Sequence, residues 1–372
     1  MASGVYFYSL SCIAVLALWG VSLWNGTVKA LLLAVWHGEL GEGGLHLKTD
    51  YTGVPLIDYP IAVLVAFFFY GTNGHDEGYQ LFLVDAYSTL QSAFVWLYVE
   101  ASRTQNKPKW ISRPVAFGLL WQCFGAAISL PLYYATHLHW TFQSKADVAR
   151  VADLNQAVAL PFAFLLGAIA PFLIGMAPTW LGQYSRSATT HQIILAAWQP
   201  DPIWVSWIMM SLATLVGKLF PGEPPRTWEN KGAGGGRAHH WICASYLLAA
   251  TSSALGHLYV MSKIATSENH AVDIVRMYVP FLFTGPSGTS DILVRGPWLF
   301  LQYDFIIISL SSLSWAFLVL GPIYPKWHIS AVTLALAMLI SSVIIGPGGT
   351  VSIALLIRER YLPDQSSVSH KS

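Results

Sequence analysis

Hydrophobic positions in this chain fall in long unbroken runs. They show neither the strict alternation of a half-buried strand nor the one-sided stripe of a surface helix. A run of about 20 apolar residues crosses roughly 30 Å of hydrocarbon as a helix. Such runs predict spans over residues 4–24, 54–71, 79–101, 114–136, 157–180, 193–220, 241–261, 298–320 and 329–346. Polar and turn-forming residues mark the breaks. Gln199-Pro200-Asp201-Pro202 interrupts the sixth run, because proline lacks an N–H and its ring clashes with the preceding turn. Gly346-Pro347-Gly348-Gly349 bends the chain before a last apolar piece, 351–357. The piece 30–36 is too short to cross and reads as interfacial. The expected fold class is therefore all-α. It is a polytopic helical membrane protein with eight to nine transmembrane helices. One domain covers 1–357, followed by a polar C-terminal tail, 358–372.

Composition sharpens this. Only 10% of residues are charged and 54% are hydrophobic, with a mean hydropathy of +0.50; a soluble domain carries about 25% charged residues. A net charge of +1 gives no electrostatic footprint for a nucleic acid. Cys12, Cys123 and Cys243 sit in apolar runs with no CxxC spacing and read as small apolar residues. The loop carrying Arg103, Lys107, Lys109 and Arg113 has no acidic residue, which places it in the cytosol. The absence of an internal repeat gives no support to a transporter built from repeated halves.

Candidate chemistry lies in acids inside the apolar runs. Five of the 19 Asp and Glu fall there: Asp58, Asp85, Glu100, Asp201 and Asp304. No Lys or Arg occupies a span interior, so the buried charge reads as one-sided. A carboxyl group in hydrocarbon is expensive and is a functional-site candidate by default. Low dielectric favours its neutral form. A neutral acid in a dry pocket donates protons, as protonation of an alkene or epoxide oxygen requires; the carboxylate stabilises a developing cation. At about 100° per residue, Ser88, Ser92, Trp96 and Arg103 share one stripe with Asp85. Glu100 has two readings, a rim salt bridge with Arg103 at i, i+3 or a site role. Asp201, between two prolines, reads as a helix N-cap. Asp76 and Glu77 lie in the tight turn 71–78, either as a solvated loop or closing the mouth of a site. His137 and His139 read as structural or surface residues, and His257 as a satisfied core histidine.

Aromatic residues make up 14% of the chain. Most belong to interface belts and packing, yet together they suit a pocket for a polyene and its cations. The chain has no DDxxD-type pair to hold magnesium on a diphosphate, and no GxGxxG, P-loop, HExxH or GxSxG. No metal and no cofactor is expected.

The stretch 50–103 carries TGVPLID, the aromatic run AFFFY, a Gly/Asp turn, Gln91 and the ending VEASR. In these pieces it resembles the integral-membrane terpene cyclases of fungal meroterpenoid pathways, of the type found in ascochlorin, ascofuranone and macrophorin biosynthesis. Chain length and span number fit the same family. The resemblance implies an enzyme that folds the farnesyl chain of a prenylated aromatic or quinol. Such an enzyme protonates a terminal epoxide or olefin and closes rings through a cation cascade. It implies Asp58, Asp85 and Glu100 as candidate acid and cation-stabilising residues; Asp304 is added from burial alone. The expected partners are a lipophilic prenylated aromatic molecule and the lipid bilayer, with the endoplasmic reticulum as location. Two other readings use the same acids, a lipid or sterol double-bond isomerase and a proton- or cation-coupled transporter.

Overall fold

The computed structural model describes residues 2–41, 44–103, 107–143, 150–151, 153–180, 186–220, 234–281 and 289–362. Helices dominate them. The chain opens with α1 (Gly4–Trp24) and the short α2 (Thr27–His37). A two-residue hairpin follows, in which Glu39–Leu40 pairs antiparallel with Leu45–His46. Next come α3 (Pro55–Thr72) and α4 (Glu77–Ser102). Helix α3 starts with proline at its first turn, where the missing N–H costs nothing. Helix α4 is capped by Asp76, whose carboxylate accepts from the Tyr79 N–H at 2.9 Å. Then follow α5 (Pro114–Phe124), α6 (Ala126–Leu138), α7 (Leu154–Met176), α8 (Ala188–Trp198) and α9 (Asp201–Leu219). The chain ends with α10 (Gly234–Thr266), the one-turn α11 (Ile274–Tyr278), α12 (Thr289–Leu320) and α13 (Ala331–Tyr361).

Six of the described helices are long and apolar enough to cross a membrane: α1, α3, α7, α9, the part of α12 from Ile292, and α13. Helices α4 and α10 are long but more polar. Nearly all of α4 is buried, and its length runs through both apolar clusters of the core. Its first half packs in the cluster with α2 and α3, its second half in the cluster with α1, α6 and α7. A helix buried on all sides needs no amphipathic stripe, so polar residues along it must find partners inside the bundle.

Breaks matter most for function. The expected span 114–136 is two helices, parted at Gly125, whose φ is +101°. A Cβ at that position would lie 2.5 Å from Leu18 Cδ2 and 3.1 Å from Asp304 Oδ1. The break expected at 199–202 separates α8 from α9. Within α13, Gly346 takes φ +76° and ψ +160°, which bends the helix where the sequence places the bend. The tail boundary is corrected. Helix α13 continues to Tyr361, and Arg358 and Glu359 are buried in the bundle and not in a polar tail. Residues 363–372 of that tail lie outside the described residues, as do 221–233.

Candidate active site

A cavity of about 200 Å³ is lined by residues of α1 to α6 and α12. Its walls carry the rings of Trp19, Phe67, Phe68, Tyr87, Trp121 and Phe300. Phe300 meets Phe67 and Trp19 edge to face, with centroids 5.3 and 6.0 Å apart. Edge-to-face packing fixes ring orientation and leaves neighbouring ring faces to line space. The polar groups on the wall include Ser22, Thr27, Gln122 and Asp304.

Asp304 is placed by the break at Gly125. A helix starting at Ala126 exposes unpaired N–H groups, and no side chain of its own caps them. The Asp304 carboxylate, arriving from α12, does so instead: Ala127 N–H donates to Oδ1 at 2.8 Å. The helix end favours the carboxylate and the apolar wall favours the neutral acid. These opposing pulls suit a group that gives up and regains a proton. Asp304 lines this cavity; Asp58, Asp85 and Glu100 do not.

Asp201 is corrected. It is the first residue of α9, but its side chain caps nothing and lies buried among amides. Gln122 Nε2 donates to Oδ1 at 3.0 Å, and Gln91 Nε2 approaches Oδ2 at 3.4 Å. Sequence reading had no signal for these contacts, since the partners are 79 and 110 positions away.

Asp85 is also buried, and not alone. His257 Nδ1 lies 2.9 Å from Oδ1, and the Tyr278 hydroxyl donates to Oδ2 at 2.5 Å. His257, read from sequence as a satisfied core histidine, is satisfied by an acid and by a kink. Pro347 has no N–H to offer the carbonyl of Val343 four residues earlier. His257 Nε2 lies 3.0 Å from that oxygen. A carbonyl only accepts, so Nε2 carries a hydrogen. One further proton therefore lies between Nδ1 and Asp85, whichever of the two holds it.

Glu100 sits in a buried ion network that includes the i, i+3 pairing with Arg103. Arg103 donates through Nε to Oε2 and through Nη2 to Oε1, each at 3.0 Å, and Arg358 Nη1 reaches Oε1 at 2.7 Å. Arg103 also bonds Glu359 at 2.7 Å. These side chains are at most 4% exposed. His137 Nδ1 accepts from Trp315 Nε1 at 3.1 Å, so its Nε2 carries the hydrogen that meets Glu100 at 3.0 Å. The imidazole is neutral in this arrangement. The expectation of one-sided buried charge fails here, because two arginines far apart in the chain fold inward together.

Asp58 closes a local loop. Its carboxylate accepts from Thr52 N at 2.7 Å, Thr52 Oγ1 at 2.8 Å and Gly53 N at 3.0 Å. Asp76 meets the Arg276 guanidinium through both oxygens. Burial pushes the Asp76 carboxyl up, but the Arg276 and Tyr79 hydrogen bonds outweigh it and hold the group below its usual range. With Arg276, Arg295 and Trp298, Asp76 lines a second, more polar cavity of about 690 Å³. Among the described residues, no cluster of three or more His, Cys, Asp or Glu side chains is placed to hold a metal ion.

Comparison with known proteins places the chain in a family. The chain is 29% identical to the terpene cyclase DEP1 of Fusarium langsethiae over 94% of its own length and 96% of the relative's. It is 27% identical to the terpene cyclase DEP1 of Alternaria brassicicola, over 96% and 98%. The terpene cyclase ascI of Acremonium egyptiacum is 26% identical, over 74% and 69%. No solved structure matches the chain. The CtvD domain model matches residues 2–362, and the chain belongs to the CtvD-domain family, whose similar members here are named as fungal terpene cyclases.

Proposed function

We propose that this protein is a membrane-bound terpene cyclase acting on a farnesylated aromatic or quinol, with Asp304 as the acid that starts ring closure. The observation that carries this reading is Asp304 on the wall of an apolar, aromatic-lined cavity. The Asp304 O–H bond breaks as its proton passes to the terminal epoxide oxygen or olefin carbon. Alkene π electrons then form the ring C–C bonds and pass the positive charge along the chain. Loss of a C–H proton to the Asp304 carboxylate restores the acid, so substrate and product are isomers. The rings of Trp19, Phe67, Phe68 and Trp121 offer faces to the cation on the way. The largely apolar wall disfavours water beside the cation, which limits its capture. With α4 and α10 added to the six apolar helices, the bundle crosses the membrane eight times, and we place it in the endoplasmic reticulum.

Microsomes from yeast carrying the protein, fed a farnesylated phenol and its terminal epoxide, test the reading by product analysis. The expected result is a ring-closed isomer whose yield falls about 10²-fold or more in Asp304→Asn, the usual range for loss of a general acid. Conversion that persists in Asp304→Asn removes Asp304 from the chemistry. No conversion of either substrate by well-expressed protein overturns the function.

A further inference from the structure

Another polar group on the cavity wall is Gln122, three residues before the break at Gly125. Its amide is oriented from behind. Nε2 donates to Gln199 O at 3.0 Å and to Asp201 Oδ1 at 3.0 Å. Both partners are acceptors, one a carbonyl and one a carboxyl oxygen, so both amide hydrogens are spent on them. The amide cannot flip without losing both bonds, which fixes Oε1 as the edge turned away from α9. No donor among the described residues reaches that oxygen. The side chain therefore brings a fixed hydrogen-bond acceptor, the negative end of a dipole, to a largely apolar wall whose other polar groups include Ser22, Thr27 and Asp304.

Such a group is costly to leave facing hydrocarbon and favourable when it faces positive charge. It is also a poor partner for an epoxide oxygen or an alkene, which offer no hydrogen to it. We infer that Gln122 is the cation-holding residue of the cavity and decides how far ring closure proceeds, with Asp201 as the positioning residue that aims it. This inference rests on the cyclase reading. It separates two tasks: Asp304 supplies the proton, and the Gln122 oxygen steadies the charge that has moved away from it. No bond to Gln122 forms or breaks. Removing the oxygen makes the cation lose its proton earlier, so shorter-cascade products accumulate while substrate is still consumed.

The test is a product ratio. Microsomes with wild-type protein, Gln122→Leu, Asp201→Asn and Asp201→Leu receive the farnesylated phenol and its terminal epoxide, with protein amounts matched. In Gln122→Leu the ratio of fully cyclised to early-terminated product is expected to fall about tenfold or more, the scale of one contact between a fixed dipole and a charge. Asp201→Asn keeps an oxygen for Gln122 Nε2 and should retain the wild-type ratio. Asp201→Leu leaves the amide only its Gln199 anchor and should lower the ratio toward that of Gln122→Leu. A merely structural role would lower all products together and leave the ratio alone, and that result overturns the inference. A second readout covers poor folding of any variant. A farnesyl dimethylammonium probe should bind wild-type and Asp201→Asn protein about tenfold more tightly than Asp201→Leu, with no such difference for its uncharged carbon analogue. Equal binding of the charged probe to all three also overturns the inference. If wild-type protein converts neither substrate, the cyclase reading itself falls.

Discussion

Asp85 on α4 and His257 on α10 stand 172 positions apart in the chain, and Oδ1 of the first lies 2.9 Å from Nδ1 of the second. The Val343 carbonyl takes the other imidazole N–H, so the pair shares one proton. An asparagine at 85 can satisfy the same neighbours, donating to Nδ1 and accepting from the Tyr278 hydroxyl. Asp85→Asn is therefore expected to unfold at the wild-type temperature in detergent and to retain turnover. Asp85→Leu strands a buried imidazole nitrogen and a hydroxyl and should cost about 1–3 kcal/mol for each group. Loss of turnover in a normally stable Asp85→Asn protein would put Asp85 in the chemistry.

Glu100 is expected to matter for stability before activity. Glu100→Gln leaves Arg103 and Arg358 facing a neutral group in a buried site, and breaking a buried pair in this way costs about 3–5 kcal/mol. The thermal midpoint of the solubilised protein should fall by several degrees. Adding Arg358→Met to Glu100→Gln should recover part of the loss, because the surplus positive charge goes with it. Equal midpoints for wild type and Glu100→Gln would show that the network carries no stability.

The bend in α13 depends on Gly346, whose backbone conformation is nearly closed to other residues. A methyl group there would also come to 3.1 Å from His257 Cβ. Gly346→Ala should lose about 1–3 kcal/mol from backbone strain alone. Chemical unfolding of the purified protein measures it, and an unchanged midpoint would mean that the bend relaxes freely.

Acid sensitivity is expected at the loop end of α4. The Asp76 carboxyl sits below its usual value because the Arg276 and Tyr79 bonds outweigh burial. A lowered folded value gives stability that is complete above the ordinary carboxylate range near pH 4 and is lost as pH falls through the folded value. Wild-type protein should therefore lose more thermal stability than Asp76→Asn on going from pH 5 to pH 3. Parallel losses would show that the Asp76–Arg276 pair does not couple to folding.

Much of the helical plan was legible because its signals are local. Proline and glycine act within a turn, so the breaks at 199–202 and 346–349 could be read directly. Gly125 could not. A single glycine in an apolar run is ambiguous, and its reason is the approach of Leu18 and Asp304 from two other helices. The acids themselves stood out by composition, yet their environments did not. Arg358 reaches Glu100 from 258 positions away and His257 reaches Asp85 from 172, so the sequence shows the charge but not the partner. Asp201 was misread for the same reason. Its local frame of two prolines suggested a cap, while its partners Gln91 and Gln122 lie on α4 and α5.

The ion network also has a consequence for biosynthesis. Glu100 and Arg103 emerge from the ribosome together, one turn apart, so α4 can enter the membrane as a self-neutralised segment. Arg358 and Glu359 emerge together as well, but only with α13, Arg358 being 258 positions after Glu100. Until then the buried end of α4 has half of its electrostatic shell. The charged seal around the end of α4 closes only once α13 has been made, so Arg358 and Glu359 cannot guide the earlier insertion of α4.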